Sequence, residues 1–91
     1  MSESEIPEVI FTFKNTHDAI ASEKVLIQSG IQVRVMPLPA QIGAGCGICL
    51  RVWPEVRNQA AGVLADAGIL SQGIWLKRVC GEKSRYLLQE D

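Results

Sequence analysis

EVIFTFKNTHDAIASEKVLIQSGIQVRVM, residues 8–36, predicts a strand, a helix and a second strand. Apolar and other side chains alternate over 8–14 and again over 31–36, as they do on half-buried strands. A helix is predicted between them near 16–29, where Gly30 supplies the usual residue just after a helix C-terminus. Two strands joined through such a crossover helix run parallel in one sheet.

The rest of the chain extends this unit. Strands are predicted near 47–53 and 73–79, and a helix near 54–67 separates them, with Pro54 suited to its first position. The order β-α-β-β-α-β with short links predicts an α+β protein with the ferredoxin-like two-layer sandwich. In that fold two helices cover one face of a four-stranded antiparallel sheet whose strand order is 4-1-3-2.

The alternation also assigns side chains to the two faces of the sheet. The predicted inner stripe of the first helix is Ala19, Ile20, Leu26 and Ile27. The sheet face without helices is predicted to carry Thr12, Arg34, Cys49, Arg51, Trp75 and Lys77. This mixture of charged and apolar groups is unusual for a face that only contacts solvent, and self-association through the open face is one interpretation beside simple solvation.

Composition narrows the class of protein. The chain has 91 residues, 47% of them apolar, and a net charge of −1, which predicts one globular domain and gives no basic excess for nucleic acid. We place that domain at 8–80, with 1–7 and 81–91 as flexible or weakly ordered tails. The acidic start lacks the features of a signal peptide, and no apolar run reaches the length of a membrane span. We therefore expect a cytoplasmic protein whose three cysteines are reduced thiols.

Cys46 is the residue best suited to chemistry. It follows a loop that begins at Pro37 and contains Pro39, and the cysteine itself is flanked by Gly45 and Gly47. Glycines permit positive φ and leave the sulfur unshielded by neighbouring side chains. A thiolate on such a loop is a nucleophile, although a small apolar residue buried at the start of a strand explains the same cysteine.

The predicted topology brings a distant segment to this loop. The end of the first strand, the start of the first helix and the loop after the second strand share one edge of the sheet. His17, the only histidine, is therefore expected within about 10 Å of Cys46, the range over which exposed charges still interact. It would orient the thiol or move a proton near neutral pH. An exposed first-turn residue is the alternative interpretation of this histidine.

Cys46 and Cys49 also form a C-x-x-C motif, which is typical of dithiol oxidoreductases when it opens a helix. Here the following residues predict a strand, and residues three apart on a strand point to opposite faces. With one histidine and no second C-x-x-C, no metal site is predicted, and no cofactor motif is present. Arg51 could pair with an anion, although a solvated sheet face explains it as well.

Several short motifs together resemble the selenium/sulfur carrier-like protein family. They are Phe13-x-x-Thr16-His17-Asp18-Ala19, then the proline-bracketed V-R-V-M-P-L-P, then Cys46-Gly47, and Leu50-Arg51 on the next strand. The matching stretch covers nearly half the chain. This chain departs from the family pattern at Ala40, where a basic residue is expected, and at Cys49, where a small residue is expected.

The resemblance implies that Cys46 holds sulfur or selenium as a persulfide or selenosulfide. A donor such as a cysteine desulfurase would load it, and an acceptor protein would take the atom, so that the chain acts as a carrier rather than as an enzyme with its own turnover. The amides of Gly45 and Gly47 and the helix start at Thr16 would stabilise the sulfur charge. Two alternatives stay open, a non-catalytic binding or oligomerisation module and a small oxidoreductase that uses Cys46 and Cys49.

Overall fold

A computed structural model describes residues 7–43, 46–80 and 83–89. In these residues the chain forms five strands and two α-helices, and a single 3₁₀ turn over Pro54–Val56 precedes the second helix. In chain order the elements are β1 (Glu8–Thr12), α1 (Thr16–Gln28), β2 (Arg34–Pro37), β3 (Ile48–Val52), α2 (Arg57–Asp66), β4 (Gly73–Cys80) and β5 (Lys83–Gln89).

The five strands form one sheet in the order β2-β3-β1-β4-β5, and every neighbouring pair is antiparallel. The prediction of a four-stranded sheet is therefore wrong, because β5 pairs along the outer edge of β4. Lys83–Gln89, expected to lie in a weakly ordered tail, forms this strand. Its apolar pattern is weak because backbone pairing with β4, rather than deep burial of side chains, holds it in the sheet. Residues 1–6 of the other predicted tail lie outside the described part of the chain.

The predicted limits of the first helix are confirmed. Asn15 is the N-cap, and its side-chain oxygen accepts a hydrogen bond of 2.8 Å from the backbone N–H of Asp18. At the other end Gly30 has a φ of +81°, a conformation that favours glycine. The second predicted helix is also present, and it begins with the 3₁₀ turn at Pro54.

The predicted inner stripe of α1 is partly wrong. Ala19 and Leu26 are buried as expected, but Ser22 is the third buried residue of the helix. Ile20 and Ile27 are 54% and 57% exposed. Each follows a buried position by one residue, and one residue turns a helix by about 100°, so both isoleucines point away from the sheet.

The main core lies between the helices and one face of the sheet. It consists of Val9, Phe11, Phe13, Ala19, Leu26, Ile31, Leu50, Val52, Ala60, Leu64 and Ile74. On the other face, register places Arg34 opposite Arg51, Arg51 opposite Ile10, and Ile10 opposite Trp75. The prediction that both arginines and Trp75 share this face is confirmed. Ile10 is nevertheless completely buried there, between Arg51 and Trp75 in the register.

Within the described residues, neither α1 nor α2 has the length and apolar character that a membrane-spanning helix needs.

Candidate functional site

One end of the sheet gathers the segments that carry the predicted site. Thr12, the last residue of β1, pairs with Cys49 of β3 on one side and with Gly73, the first residue of β4, on the other. Pro37 at the end of β2 pairs with Ile48 at the start of β3. α1 begins four residues after Thr12. Its N-terminus therefore lies at the same end of the sheet as the segment that precedes β3.

Cys46 lies just before β3 and is half-buried at the margin of the core. Its Sγ lies 3.5 Å from the carbonyl oxygen of Ile48, to which the thiol donates a weak hydrogen bond. Gly47 has a φ of +92°, which a residue with a side chain would adopt only with strain. The carbonyl of Gly47 accepts a hydrogen bond of 3.0 Å from the N–H of Leu38. Glycine at this position therefore sets the turn that holds Cys46 against the sheet, whereas Gly45 lies outside the described residues.

Cys49 has a different environment. Its side chain is completely buried, and its Sγ donates to the carbonyl oxygen of Pro37 at 3.6 Å. The pKa of the Cys49 thiol is raised from 9.0 to about 11, mainly by burial and to a smaller extent by the charge interaction with Cys46, while Lys77 opposes the change. The two sulfurs are therefore close enough to interact electrostatically, yet Cys49 stays protonated at neutral pH.

The structure does not join His17 to Cys46 through a hydrogen bond, since the thiol of Cys46 donates to Ile48 instead. The side chain of His17 is 91% exposed, and its Nδ1 lies 3.8 Å from a carboxylate oxygen of Asp18. Thr16 is also exposed at the first position of α1, where Asn15 rather than Thr16 provides the cap. The predicted closeness of His17 to Cys46 stays a prediction.

Arg51, the predicted anion partner, is already occupied. Its Nη1 lies 3.3 Å from Glu8 Oε2, and its guanidinium lies 4.5 Å from the centre of the Trp53 ring. Lys77 Nζ approaches the other oxygen of Glu8 at 3.6 Å. These contacts tie three adjacent strands together and give Arg51 a structural role. Sequence reasoning missed Glu8 and Trp53, although strand alternation places Glu8 on the face of Thr12 and Trp53 on the face of Arg51.

Among the residues that the structure describes, no group of three or more histidine, cysteine, aspartate or glutamate side chains is arranged to hold a metal ion. The geometry presents one half-buried thiol, Cys46, on a glycine turn and one completely buried thiol, Cys49, three residues further along the chain. Such an arrangement can perform nucleophilic sulfur chemistry at the first thiol.

Comparison with known proteins gives one match. Residues 8–76 match the family described as "Putative Se/S carrier protein-like", and this range covers most of the chain from β1 into β4. No curated protein and no solved structure matches the chain.

Proposed function

The chain belongs to the Se/S carrier protein-like family, and from this premise we propose that it carries a sulfur or selenium atom on the thiol of Cys46. A donor protein, such as a cysteine desulfurase, loads the atom, and an acceptor protein removes it. The chain is a carrier in this proposal and has no turnover of its own. We place this work in the cytoplasm, where thiols stay reduced.

The contrast between the two described thiols is the observation that carries the proposal. Cys46 is partly accessible on a turn, whereas Cys49 is completely buried with its pKa raised to about 11. Thiolates, not thiols, attack sulfur, and a partner protein must reach the sulfur that it loads. Of these two residues, Cys46 is the one that a partner can reach, and Cys49 is the one whose ionisation is suppressed by burial.

Loading needs no external oxidant or reductant. The Cys46 thiolate attacks the outer sulfur of a persulfide on the donor, and a sulfur–sulfur bond forms on Cys46. The sulfur–sulfur bond of the donor breaks, and the donor cysteine leaves as a thiolate with the electron pair. Unloading repeats the exchange, because a thiolate of the acceptor attacks the outer atom and Cys46 leaves as a thiolate. Selenium would follow the same path as the outer atom.

The burial of Cys49 protects the carried atom. Attack of Cys49 on the Cys46 persulfide would form a disulfide between the two residues and release hydrogen sulfide. With a pKa of about 11, Cys49 is a thiolate in only about one molecule in ten thousand at pH 7. Its closeness to Cys46 is the observation that favours the alternative, a dithiol oxidoreductase, but its protonation opposes that function.

Surrounding groups have supporting roles in the proposal. The amides of Gly45 and Gly47 and the start of α1 at Thr16 stabilise negative charge on the carried atom. His17, with its exposed ring, supplies or removes a proton where the partner protein docks. Arg51 is left out of this set because Glu8 and Trp53 hold it.

Intact mass after incubation with a cysteine desulfurase and either cysteine or selenocysteine tests the proposal. We expect one added sulfur or selenium atom on the wild-type protein, none on Cys46→Ser, and normal loading on Cys49→Ser and Cys80→Ser. His17→Ala should load more slowly and keep its far-ultraviolet circular dichroism. Loading of Cys46→Ser at the wild-type rate would refute a carrier that works through this residue. A wild-type protein that takes up no atom, with no cysteine that iodoacetamide labels quickly, would favour the binding module.

A further inference from the structure

The two edges of the sheet differ in how they are protected. β2 is four residues long and ends at Pro37, which has no N–H to donate. β5 is seven residues long, Lys83–Gln89, and contains no proline. A long edge strand presents a row of unpaired backbone donors and acceptors, which an added strand can satisfy.

The side chains of β5 show what kind of strand fits. Lys83 and Arg85 are exposed and, two residues apart, share one face. Leu87 continues that face and is 43% exposed, and its neighbour Leu88 on the other face is 56% exposed. A strand that places two acidic side chains opposite Lys83 and Arg85, and an apolar side chain opposite Leu87, would complement this face of β5.

The charged residues within β4 and β5 are all basic and favour an acidic partner. The hairpin of β4 and β5 carries Lys77, Arg78, Lys83 and Arg85, four of the nine lysines and arginines of the chain. Arg78 lies directly opposite Arg85 in the register, and like charges in that arrangement repel. Within the described residues no ion pair relieves Arg78, Lys83 or Arg85. β1 pairs with β4 only as far as Lys77. Arg78, Lys83 and Arg85 therefore lie in the part of the hairpin that extends beyond the first residue of β1.

From these observations we propose that β5 receives an extended, acidic segment of a partner protein as a sixth strand. Backbone hydrogen bonds along β5 hold the segment, carboxylates lie opposite Lys83 and Arg85, and an apolar side chain covers Leu87. A second copy of the chain is expected to bind this edge less well. Pairing two β5 strands would bring Lys83 and Arg85 of both copies into one interface, where like charges repel. This surface is independent of the chemistry at Cys46.

Titration of the full-length, isotope-labelled protein with the acetylated peptide Thr-Val-Thr-Glu-Thr-Glu-Thr, followed by amide NMR, tests the proposal. We expect shifts concentrated in β5 and alternating protection of its outward amides from hydrogen exchange. The double variant Lys83→Glu and Arg85→Glu should weaken binding about tenfold or more and should instead bind the peptide Thr-Val-Thr-Lys-Thr-Lys-Thr. The matched control, Lys14→Glu with Lys24→Glu, changes net charge equally at exposed positions outside β5 and should keep the wild-type affinity.

Three outcomes would overturn the proposal. Equal binding of Pro-Val-Pro-Glu-Pro-Glu-Pro would show charge attraction without strand addition, since this peptide has fewer backbone donors. Equal binding by the charge-reversed variant would remove the role of the two cations. Sedimentation as a dimer that Lys83→Glu and Arg85→Glu changes would assign the edge to a second copy.

Discussion

Cys46 and Cys49 stand three positions apart, and their environments determine different chemistry. Cys46 precedes β3, and its sulfur is half-buried. Cys49 lies within β3, and its thiol donates to the carbonyl oxygen of Pro37. Burial penalises the charged form of a thiol, so the environment of Cys49 suppresses its nucleophilicity without removing the cysteine. The C-x-x-C motif of this chain therefore presents one accessible thiol and one buried thiol.

The raised pKa of Cys49 predicts a specific dependence of stability on pH. In the unfolded chain the thiol ionises near its ordinary pKa of 9.0, whereas in the folded protein it stays protonated up to about pH 11. The folded state therefore binds more protons between these values, and stability falls as pH rises through this window. Urea unfolding from pH 8 to 11 should show a loss on the order of 1–2 kcal/mol that Cys49→Ala lacks.

The comparison between the wild-type protein and Cys49→Ala removes every contribution to the pH dependence that the two proteins share. Iodoacetamide labelling of the native protein gives a second readout, in which the accessible Cys46 should react much faster than the buried Cys49. Parallel stability curves for the two proteins across the window would contradict the assignment.

Helix α1 depends on its N-cap, which is the clearest prediction at the scale of a single element. Asn15→Ala removes the acceptor of the Asp18 N–H and should lower the free energy of unfolding by about 1 kcal/mol. Asn15→Ser, which keeps a capping oxygen, should retain most of that energy. Urea denaturation measures both, and Lys24→Ala on the exposed face of α1 is the control. An equal loss in the serine and alanine variants would show that the hydrogen bond is not what stabilises the helix start.

Local signals in the sequence account for most of the elements. The cap at Asn15, the glycine at Gly30 and the proline at Pro54 mark helix ends, and alternation predicts which face carries Arg34 and Arg51. These features act within a few residues, so a single sequence displays them. They predict where elements begin and which side they turn to the core.

Features that depend on tertiary packing were missed. The pairing of β5 with β4 depends mainly on backbone hydrogen bonds, which leave little trace in a pattern such as KSRYLLQ. The burial of Ser22 in place of Ile20 depends on how α1 rotates against the sheet, and its apolar pattern allowed either rotation. Pairing of Arg51 with Glu8 joins residues 43 positions apart. For the same reason the sequence could identify Cys46 as a candidate nucleophile but could not show that Cys49 is completely buried.

At the scale of the whole molecule, Glu8 joins β1 to both of its neighbours through Arg51 and Lys77. Glu8→Gln leaves these two partly buried cations without their shared carboxylate and should lower the free energy of unfolding by roughly 1–2 kcal/mol. Glu55→Gln, at an exposed position, should change stability little. Urea unfolding at low and high salt checks this prediction, because added salt should narrow the difference between the wild-type protein and Glu8→Gln. Equal stability of the two proteins at low salt would contradict it.

Assembly with other proteins is the remaining property at this scale. The proposed carrier needs a donor and an acceptor at Cys46, and the edge at β5 offers a separate place for a protein segment. The cysteine turn lies at the end of the sheet where β1 stops and β3 starts, whereas β5 forms an outer edge of that sheet. The two surfaces can therefore be altered one at a time, and variants of β5 should load normally at Cys46 when the donor does not use that edge.

The most direct measurement locates the carried atom. Protein loaded by a desulfurase with selenocysteine or cysteine is blocked with iodoacetamide, digested after arginine, and fragmented by tandem mass spectrometry. Fragment ions that break the chain between Gly47 and Ile48 separate Cys46 from Cys49 within one peptide. We predict that the added atom lies on Cys46 alone. An added atom on Cys49 or Cys80, or a disulfide between Cys46 and Cys49 with no carried atom, would contradict the central claim.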